Sequence, residues 1–383
     1  MKISITPTPT PRTLTSLNQA DLGFGRHFAD HMFLMNYSAS EGWHDPRIEP
    51  YRAMAMEPGN LTLHYGQSIF EGLKAFRWAD GSINLFRAQD HIARFARSAS
   101  RLCMPDFDHD LVLEGFKKLV QTDNAWVPGQ RGTALYLRPT MIATDNALGV
   151  RPSKGYLMFV VTSPVGSYYS KGSAPTRILV EEKYTRAPLG GLGEAKTSAN
   201  YAASLLAAEE AKAQGFDQVL WLDAKNHKFV EEVGTMNIFF VIDNVLITPT
   251  LGGTILDGIT RRTVIELAKE WGLPLEERPI SMDEVLEASE RGTLQEVFGS
   301  GTAAIISPVG ELFYQGRPIT ITERENSYRE RFYNTITGIQ YGEIPDTHNW
   351  ITPVPAATNG HASKEGNGTV KNLQEALPGS AGA

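Results

Sequence analysis

Residues 190–201, GGLGEAKTSANY, crowd three glycines, a lysine, two hydroxyl side chains and a tyrosine into one short stretch. Three chemistries compete for Lys196. The first is a phosphate loop, G-x-x-x-x-G-K-[ST]; here Gly190 is followed by four residues, then Ala195, Lys196 and Thr197, one glycine short. The miss matters, because a Cβ before the lysine obstructs the backbone N–H groups that wrap a phosphate. Such a loop also follows a strand directly, whereas KYTRAPLGG intervenes with a proline. The apolar run VLWLD, ending at Asp223, imitates the acidic strand that accompanies phosphate loops, but such runs are common by chance. The second possibility is a solvated lysine on a flexible loop. The third is a reactive amine: the glycines would let the backbone approach a bulky ligand closely, an alanine-rich helix anchors one side, and Tyr201 follows within reach of the same cavity. A lysine amine can bond covalently to a carbonyl carbon and also carry protons.

Other residues offer complementary chemistry. FVEEVGTMN places Glu231 and Glu232 side by side, and strand alternation sends them to opposite faces, with Glu231 predicted to be exposed. LDGITRR precedes a helix, so the N–H groups of Ile259 and Thr260 fall where helix N-termini bind anions. HIARFARSASR carries Arg94, Arg97 and Arg101; for any one of them an exposed helix face is the competing explanation.

The elements that must position these residues are legible in outline. Residues 1–20 read as a loose polar arm, and 28–86 as strand-rich, with NLTLHYG alternating and Asp80-Gly81 marking a hairpin. Ile92, Phe95, Ala96 and Ala99 share one face of a helix over 89–102; a second helix covers 110–121. RGTALYLRPTMIA and GYLMFVVTSPV read as strands. The aperiodic stretch 166–176, with two adjacent tyrosines, reads as an interdomain loop. The second half predicts strands at RILVEE, QVLWLD, NIFFVI and VLITP. It also predicts helices at 198–214 and 261–271, and one opened by the capping box of Ser281 and Glu284. From 352 the chain is rich in Gly, Ala, Asn, Ser and Pro with few large apolar residues, and reads as a disordered tail.

Bulk properties bound the function. A chain of 383 residues, 42% hydrophobic and 21% charged, suits two globular domains. Its net charge of −7 argues against a nucleic-acid binder. No apolar run reaches the length of a membrane span, and prolines sit where a signal peptide needs its apolar core. The single cysteine, Cys103, implies no oxidising compartment, and no HExxH or CxxC motif suggests a zinc site. A cytoplasmic protein that needs no metal is expected.

Four segments carry a family resemblance: LHYGQSIFEGLKAF, EAKTSANYAASLLAAEEAKAQGFDQVLWLD, EEVGTMNIFFV and FGSGTAAIISPVG. Together, in this order and spacing, they resemble the branched-chain aminotransferases, fold-type IV enzymes that use pyridoxal 5'-phosphate. The likeness runs from about Phe24 to the segment TGIQYGEIPDTHNW. It implies an α/β, α+β-like fold with a smaller N-terminal domain over 1–165 and a larger cofactor-binding domain over 177–351, the cofactor between them.

The resemblance also implies roles. Lys196 would hold the cofactor as a Schiff base and shuttle protons, Glu232 would face the pyridine nitrogen, and Tyr201 the phenolic oxygen. Arg94, Thr302 and the Gly258–Ile259–Thr260 turn would bind the phosphate, with Leu256 and Thr235 against the cofactor. Phe24, Tyr65, Phe70, Tyr136 and Tyr168 would wall the substrate pocket, and Arg138 would receive the distal carboxylate of glutamate. The Thr302–Ala303 turn, helped by Tyr65, would hold the α-carboxylate. Leu148 and Val150 resemble a loop that closes the neighbouring subunit's pocket, which implies at least a dimer. The implied reaction exchanges amino groups between leucine, isoleucine or valine and 2-oxoglutarate. Some animal relatives carry C-x-x-C after the GTA turn; Ala304 and Ser307 occupy those positions here, so no thiol switch is expected. The rival readings are a D-amino-acid aminotransferase or aminodeoxychorismate lyase of the same fold, a non-catalytic relative, and a phosphate-loop protein.

Overall fold

A computed structural model describes residues 1–14, 17, 22–166, 174–322, 324 and 327–356. The first half of the chain runs β1 (Ser4–Ile5), β2 (His31–Ser38), β3 (Gly42–Pro50), α1 (Leu61–Tyr65), β4 (Ser68–Phe70), β5 (Leu73–Arg77) and β6 (Ile83–Phe86). It continues through α2 (Ala88–Arg101), α3 (His109–Thr122), β7 (Ala134–Ala143) and β8 (Gly155–Val165). The second half begins with β9 (Thr176–Val180), α4 (Ser198–Ala203), α5 (Leu205–Ala213), β10 (Gln218–Leu222), β11 (Val230–Val233), β12 (Met236–Ile242) and β13 (Val245–Thr248). Then come α6 (Ile259–Glu270), β14 (Leu275–Glu277), α7 (Met282–Glu290), β15 (Leu294–Gly301), β16 (Ile305–Tyr314), β17 (Arg317–Thr320), α8 (Tyr328–Gln340) and β18 (Ile351–Val354).

The strands form two mixed sheets. One has the order β1-β3-β2-β8-β7-β5-β6-β18, with β4 also on β7; the other runs β11-β10-β9-β16-β15-β12-β13-β14, with β17 on β16. Ile92, Phe95 and Ala99 of α2 and Val112, Phe116 and Leu119 of α3 bury their faces on the first sheet. Met282, Val285 and Ala288 of α7 bury theirs on the second. A third cluster joins Phe76, Phe86 and Tyr136 of the first sheet to Phe239 and Phe298 of the second and Phe332 and Ile336 of α8. No helix among the described residues is long and apolar enough to cross a membrane.

Four sequence expectations change. NLTLHYG is not a strand: the Asn60 side chain accepts from the Thr62 N–H, Gly66 closes the turn at φ 62°, and Leu61–Tyr65 becomes α1. The N-terminal arm is not loose over residues 1–14. β1 pairs with β3, Ile3 and Leu14 are buried, and Arg12 pairs with Asp30 at 2.8 Å. The helix expected over 198–214 breaks at Ser204 into α4 and α5. Finally, Thr352–Val354 belong to β18, whose backbone pairs antiparallel with β6, so ordered structure extends past the expected start of the tail.

Candidate active site

Lys196 lies where the two sheets meet. Its backbone carbonyl accepts from the Phe70 N–H at 3.0 Å, and its own N–H donates to Ser98 Oγ at 2.9 Å. Thr197 Oγ1 donates to the Ser68 carbonyl at 2.7 Å. The lysine is thereby fixed between β4 and α2. Its Nζ donates to the Tyr201 hydroxyl at 2.7 Å and sits 4.8 Å from the centre of the Phe70 ring.

Lys196 and Tyr201 line a cavity of about 260 Å³. Arg94, Glu232, Thr235, Leu256, Gly258, Ile259, Thr260 and Thr302 line it too. So do Phe24, Phe70, Tyr136, Arg138 and Ala303. Tyr65, Leu148 and Val150 do not; all three are exposed, and the Tyr65 hydroxyl donates to the Leu148 carbonyl. Tyr168 lies outside the described residues.

One end of the cavity is built for an anion. α6 begins at Gly258 without a side-chain cap, so its first N–H groups are not satisfied by the helix. A Cβ on Gly258 would stand 1.9 Å from Asn237 Oδ1; Asn237 in turn donates to the Leu256 carbonyl at 2.8 Å. Arg94 is aimed at the same end by residues the sequence did not single out. Its Nε and Nη2 donate to the two oxygens of Glu71 at 2.6 and 2.9 Å, and Nη1 donates to the Asp257 carbonyl at 3.1 Å. Both side chains are buried. Burial pushes the Glu71 carboxyl up, but the Arg94 charge and the hydrogen bonds from His91 and Arg94 outweigh it and hold Glu71 well below the usual carboxylate range.

Glu232 marks another part of the wall. Its Oε1 accepts from the Leu256 N–H at 2.6 Å, and its Oε2 pairs with Arg186 Nε at 3.0 Å. Burial raises its proton affinity; Arg186, the Leu256 N–H and Lys196 oppose that without cancelling it. Glu231, expected at the surface, is buried as well. Its Oε2 has no partner, and burial pushes its carboxyl up to about 7. Every residue of β11 is buried, so a strand pattern that sends Glu231 away from Glu232 does not send it to solvent.

The remaining wall is aromatic. Phe24 packs edge-on against Tyr136 at 4.8 Å, and Phe70 against Tyr201 at 4.7 Å. Gly72 makes room for this wall, since a Cβ there would overlap the Tyr136 hydroxyl. Arg138 lies over both Phe70 and Tyr136 at 4.9 and 5.2 Å, and its buried Nε has no partner. Thr302 and Ala303 occupy the turn between β15 and β16. Lys74, also unforeseen, braces that turn by donating to the Ala303 carbonyl at 2.8 Å; burial lowers its ammonium to about 8.

The glycines ahead of Lys196 do something other than expected. None of Gly190, Gly191 and Gly193 lines the cavity. A Cβ on Gly193 would lie 2.2 Å from the Thr254 carbonyl oxygen, so its close approach is to protein backbone. Asp223, at the end of VLWLD, accepts the N–H groups of Asn226, Lys228 and Phe229 and closes a turn.

A family model for amino-transferase class IV matches residues 68–312. The chain belongs to this family. Branched-chain-amino-acid aminotransferase 2 of Bacillus subtilis is 48% identical over 94% of this chain and 98% of its own length. Among solved structures, the branched-chain aminotransferase of Thermoproteus uzoniensis with norvaline superposes with a TM-score of 0.70 at 26% identity, covering 84% of this chain and 100% of that one. The Thermobaculum terrenum branched-chain enzyme in its pyridoxal-phosphate form gives 0.69 at 26% identity, covering 84% and 98%. The fold is the two-domain fold-type IV architecture, and pyridoxal phosphate is its cofactor. The donor set suits that group: an arginine and an open helix N-terminus for a phosphate, a carboxylate for a ring nitrogen, and an amine beside a phenol.

Proposed function

We propose that this class IV aminotransferase reversibly transfers the amino group between L-leucine, L-isoleucine or L-valine and 2-oxoglutarate, giving branched 2-oxo acids and L-glutamate. The observation that carries the reading is one cavity that combines the Lys196–Tyr201 pair, an anion-binding end and an aromatic wall interrupted by Arg138. Pyridoxal phosphate, when bound, supplies an electron sink for bond breaking at the amino acid's α-carbon.

The chain's own residues supply attachment, aim and proton handling. Arg94, Thr302 and the Gly258–Thr260 turn would hold the phosphate, Glu232 the pyridine nitrogen, and Tyr201 the phenolic oxygen, with Leu256 and Thr235 against the ring. Lys196 Nζ would be the covalent anchor for the cofactor, and its amine would serve as the base that takes the proton from the amino acid's α-carbon. Phe24, Phe70 and Tyr136 exclude water and accept a branched aliphatic chain. Arg138, with its buried unpaired Nε, receives the distal carboxylate of glutamate or 2-oxoglutarate, while the Thr302–Ala303 turn takes the α-carboxylate.

The active unit in this reading is a homo-oligomer, at least a dimer, working in the cytoplasm. Supporting the first part, Leu63, Tyr65, Leu148 and Val150 are exposed large apolar side chains, and Tyr65 is tied to the Leu148 backbone. Such a patch suits closure of a second subunit's pocket. A single cysteine suits a reducing compartment. The test is turnover of L-leucine and of D-alanine with 2-oxoglutarate by purified protein. L-Leucine is expected to react and D-alanine not; failure of L-leucine refutes the assignment. Lys196→Ala is expected to fold and retain cofactor noncovalently without transaminating.

A further inference from the structure

Arg186 stands in KYTRAPLGG, a segment without strand or helix, yet it is only 9% exposed. Its guanidinium joins three segments. Nε pairs with Glu232 Oε2 at 3.0 Å. Nη1 donates to the Thr254 carbonyl at 2.6 Å, and both Nη atoms lie 3.2 Å from the Gly193 carbonyl. Arg186 is absent from the wall of the main cavity but lines a small cleft with Tyr201, Glu232 and Thr235. It therefore backs Glu232 from the side away from the ligand.

That placement has a chemical consequence. A buried carboxyl favours its neutral form, and a neutral carboxyl beside a pyridine nitrogen would keep the proton that the nitrogen needs to withdraw electrons. A guanidinium stays charged under all ordinary conditions. Lys196 and Arg94, both on the cavity side, also act on Glu232, while Glu231, its neighbour on β11, carries like charge. Arg186 is the cation in direct contact with the carboxylate.

We propose that Arg186 is a positioning residue with two tasks. Its charge keeps Glu232 a carboxylate, so the proton shared with the cofactor's pyridine nitrogen resides on nitrogen, and its remaining N–H groups clamp the Lys196 loop to the Thr254–Leu256 segment. The inference rests on the assignment of Glu232 to the pyridine nitrogen.

The test binds pyridoxal phosphate labelled with ¹⁵N in the ring to the wild type, Arg186→Gln, Arg186→Lys and Glu232→Gln, and follows the ring-nitrogen chemical shift against pH. The wild type is expected to show a protonated ring nitrogen at neutral pH and Glu232→Gln an unprotonated one. Arg186→Gln is expected to lose the ring proton at a pH lower than the wild type by about one unit or more. Arg186→Lys is expected to keep the ring proton but bind cofactor more weakly, because an ammonium cannot span Glu232 and both carbonyls. A wild-type titration in Arg186→Gln, with Glu232→Gln altered, overturns the proposal alone. An unaltered Glu232→Gln overturns the assignment of Glu232 and the proposal with it. Should Arg186→Gln fail to bind cofactor, Arg186→Lys decides, and an unprotonated ring nitrogen there overturns the proposal.

Discussion

Replacing Gly193 by alanine tests what the glycines before Lys196 are for. The new Cβ would stand 2.2 Å from the Thr254 carbonyl oxygen, where ordinary contact begins at 3.4 Å, so the two backbones must part by about 1.2 Å. Neither side yields easily, because Arg186 binds both the Gly193 and the Thr254 carbonyls and Lys196 follows three residues later. Overpacking of this kind costs about 1–3 kcal/mol of stability, and a displacement of about 1 Å at a reacting group costs roughly a hundredfold in rate. Gly193→Ala is therefore expected to lower kcat/KM for L-leucine with 2-oxoglutarate by about 10- to 100-fold, with a measurable fall in Tm. Gly190 is the matched control. It holds φ 77°, and a methyl added there would meet nothing within 4 Å, so Gly190→Ala should cost about 1–2 kcal/mol of stability and leave kcat/KM nearly unchanged. If Gly193→Ala keeps kcat/KM within about threefold of the wild type, Lys196 does not depend on that backbone contact and the reasoning fails.

Other substitutions probe separate parts of the site. Glu71→Gln removes the charge that orients Arg94 while keeping its shape. Breaking such a buried pair costs about 3–5 kcal/mol, and equilibrium dialysis should show cofactor affinity at least about tenfold weaker. Arg138→Gln should lower kcat/KM for 2-oxoglutarate by about 10- to 100-fold, the worth of one charged hydrogen bond, while half-reactions with leucine change little; equal losses for both substrates would count against the Arg138 role. Glu231 has its carboxyl raised from 4.5 to about 7 by burial, so its contribution to stability is fully present below pH 4.5 and lost as pH rises through 7. Glu231→Gln should accordingly match the wild type in acid and exceed it above neutrality by about 1–2 kcal/mol, after allowance for solvent screening. Urea unfolding at both extremes measures the difference.

What could be read from the chain alone was local. The apolar face of Ile92, Phe95 and Ala99, the Asp80-Gly81 hairpin and the Ser281 cap are each set by residues within a turn or two of one another, and each forms as expected. NLTLHYG misled because so short a segment fits period 2 and period 3.6 equally, and the Asn60 and Gly66 caps decided it. Lys196, Tyr201, Arg94 and Glu232 stand in segments distinctive enough to be found by resemblance, and the fold brings them into one cavity. The residues that aim them were not visible. Glu71 and Arg186 are ordinary charged residues until folding brings each against its partner, Arg94 or Glu232. The burial of Glu231 is likewise a property of what packs on β11, which a strand pattern does not report.

The return of β18 to the first sheet has a consequence for how the molecule is made. Trp350 accepts from the Arg87 N–H through its carbonyl at 2.6 Å and stacks under the Arg87 guanidinium at 4.9 Å, and the strand that follows covers the outer edge of β6. During synthesis that edge stays open until the whole second sheet has emerged, an invitation to wrong pairing in the interval. Cutting the gene at the junction between the sheets would separate β6 from its mate, so the two halves are not modules to be expressed or exchanged one at a time. The chain is laced shut from its far end.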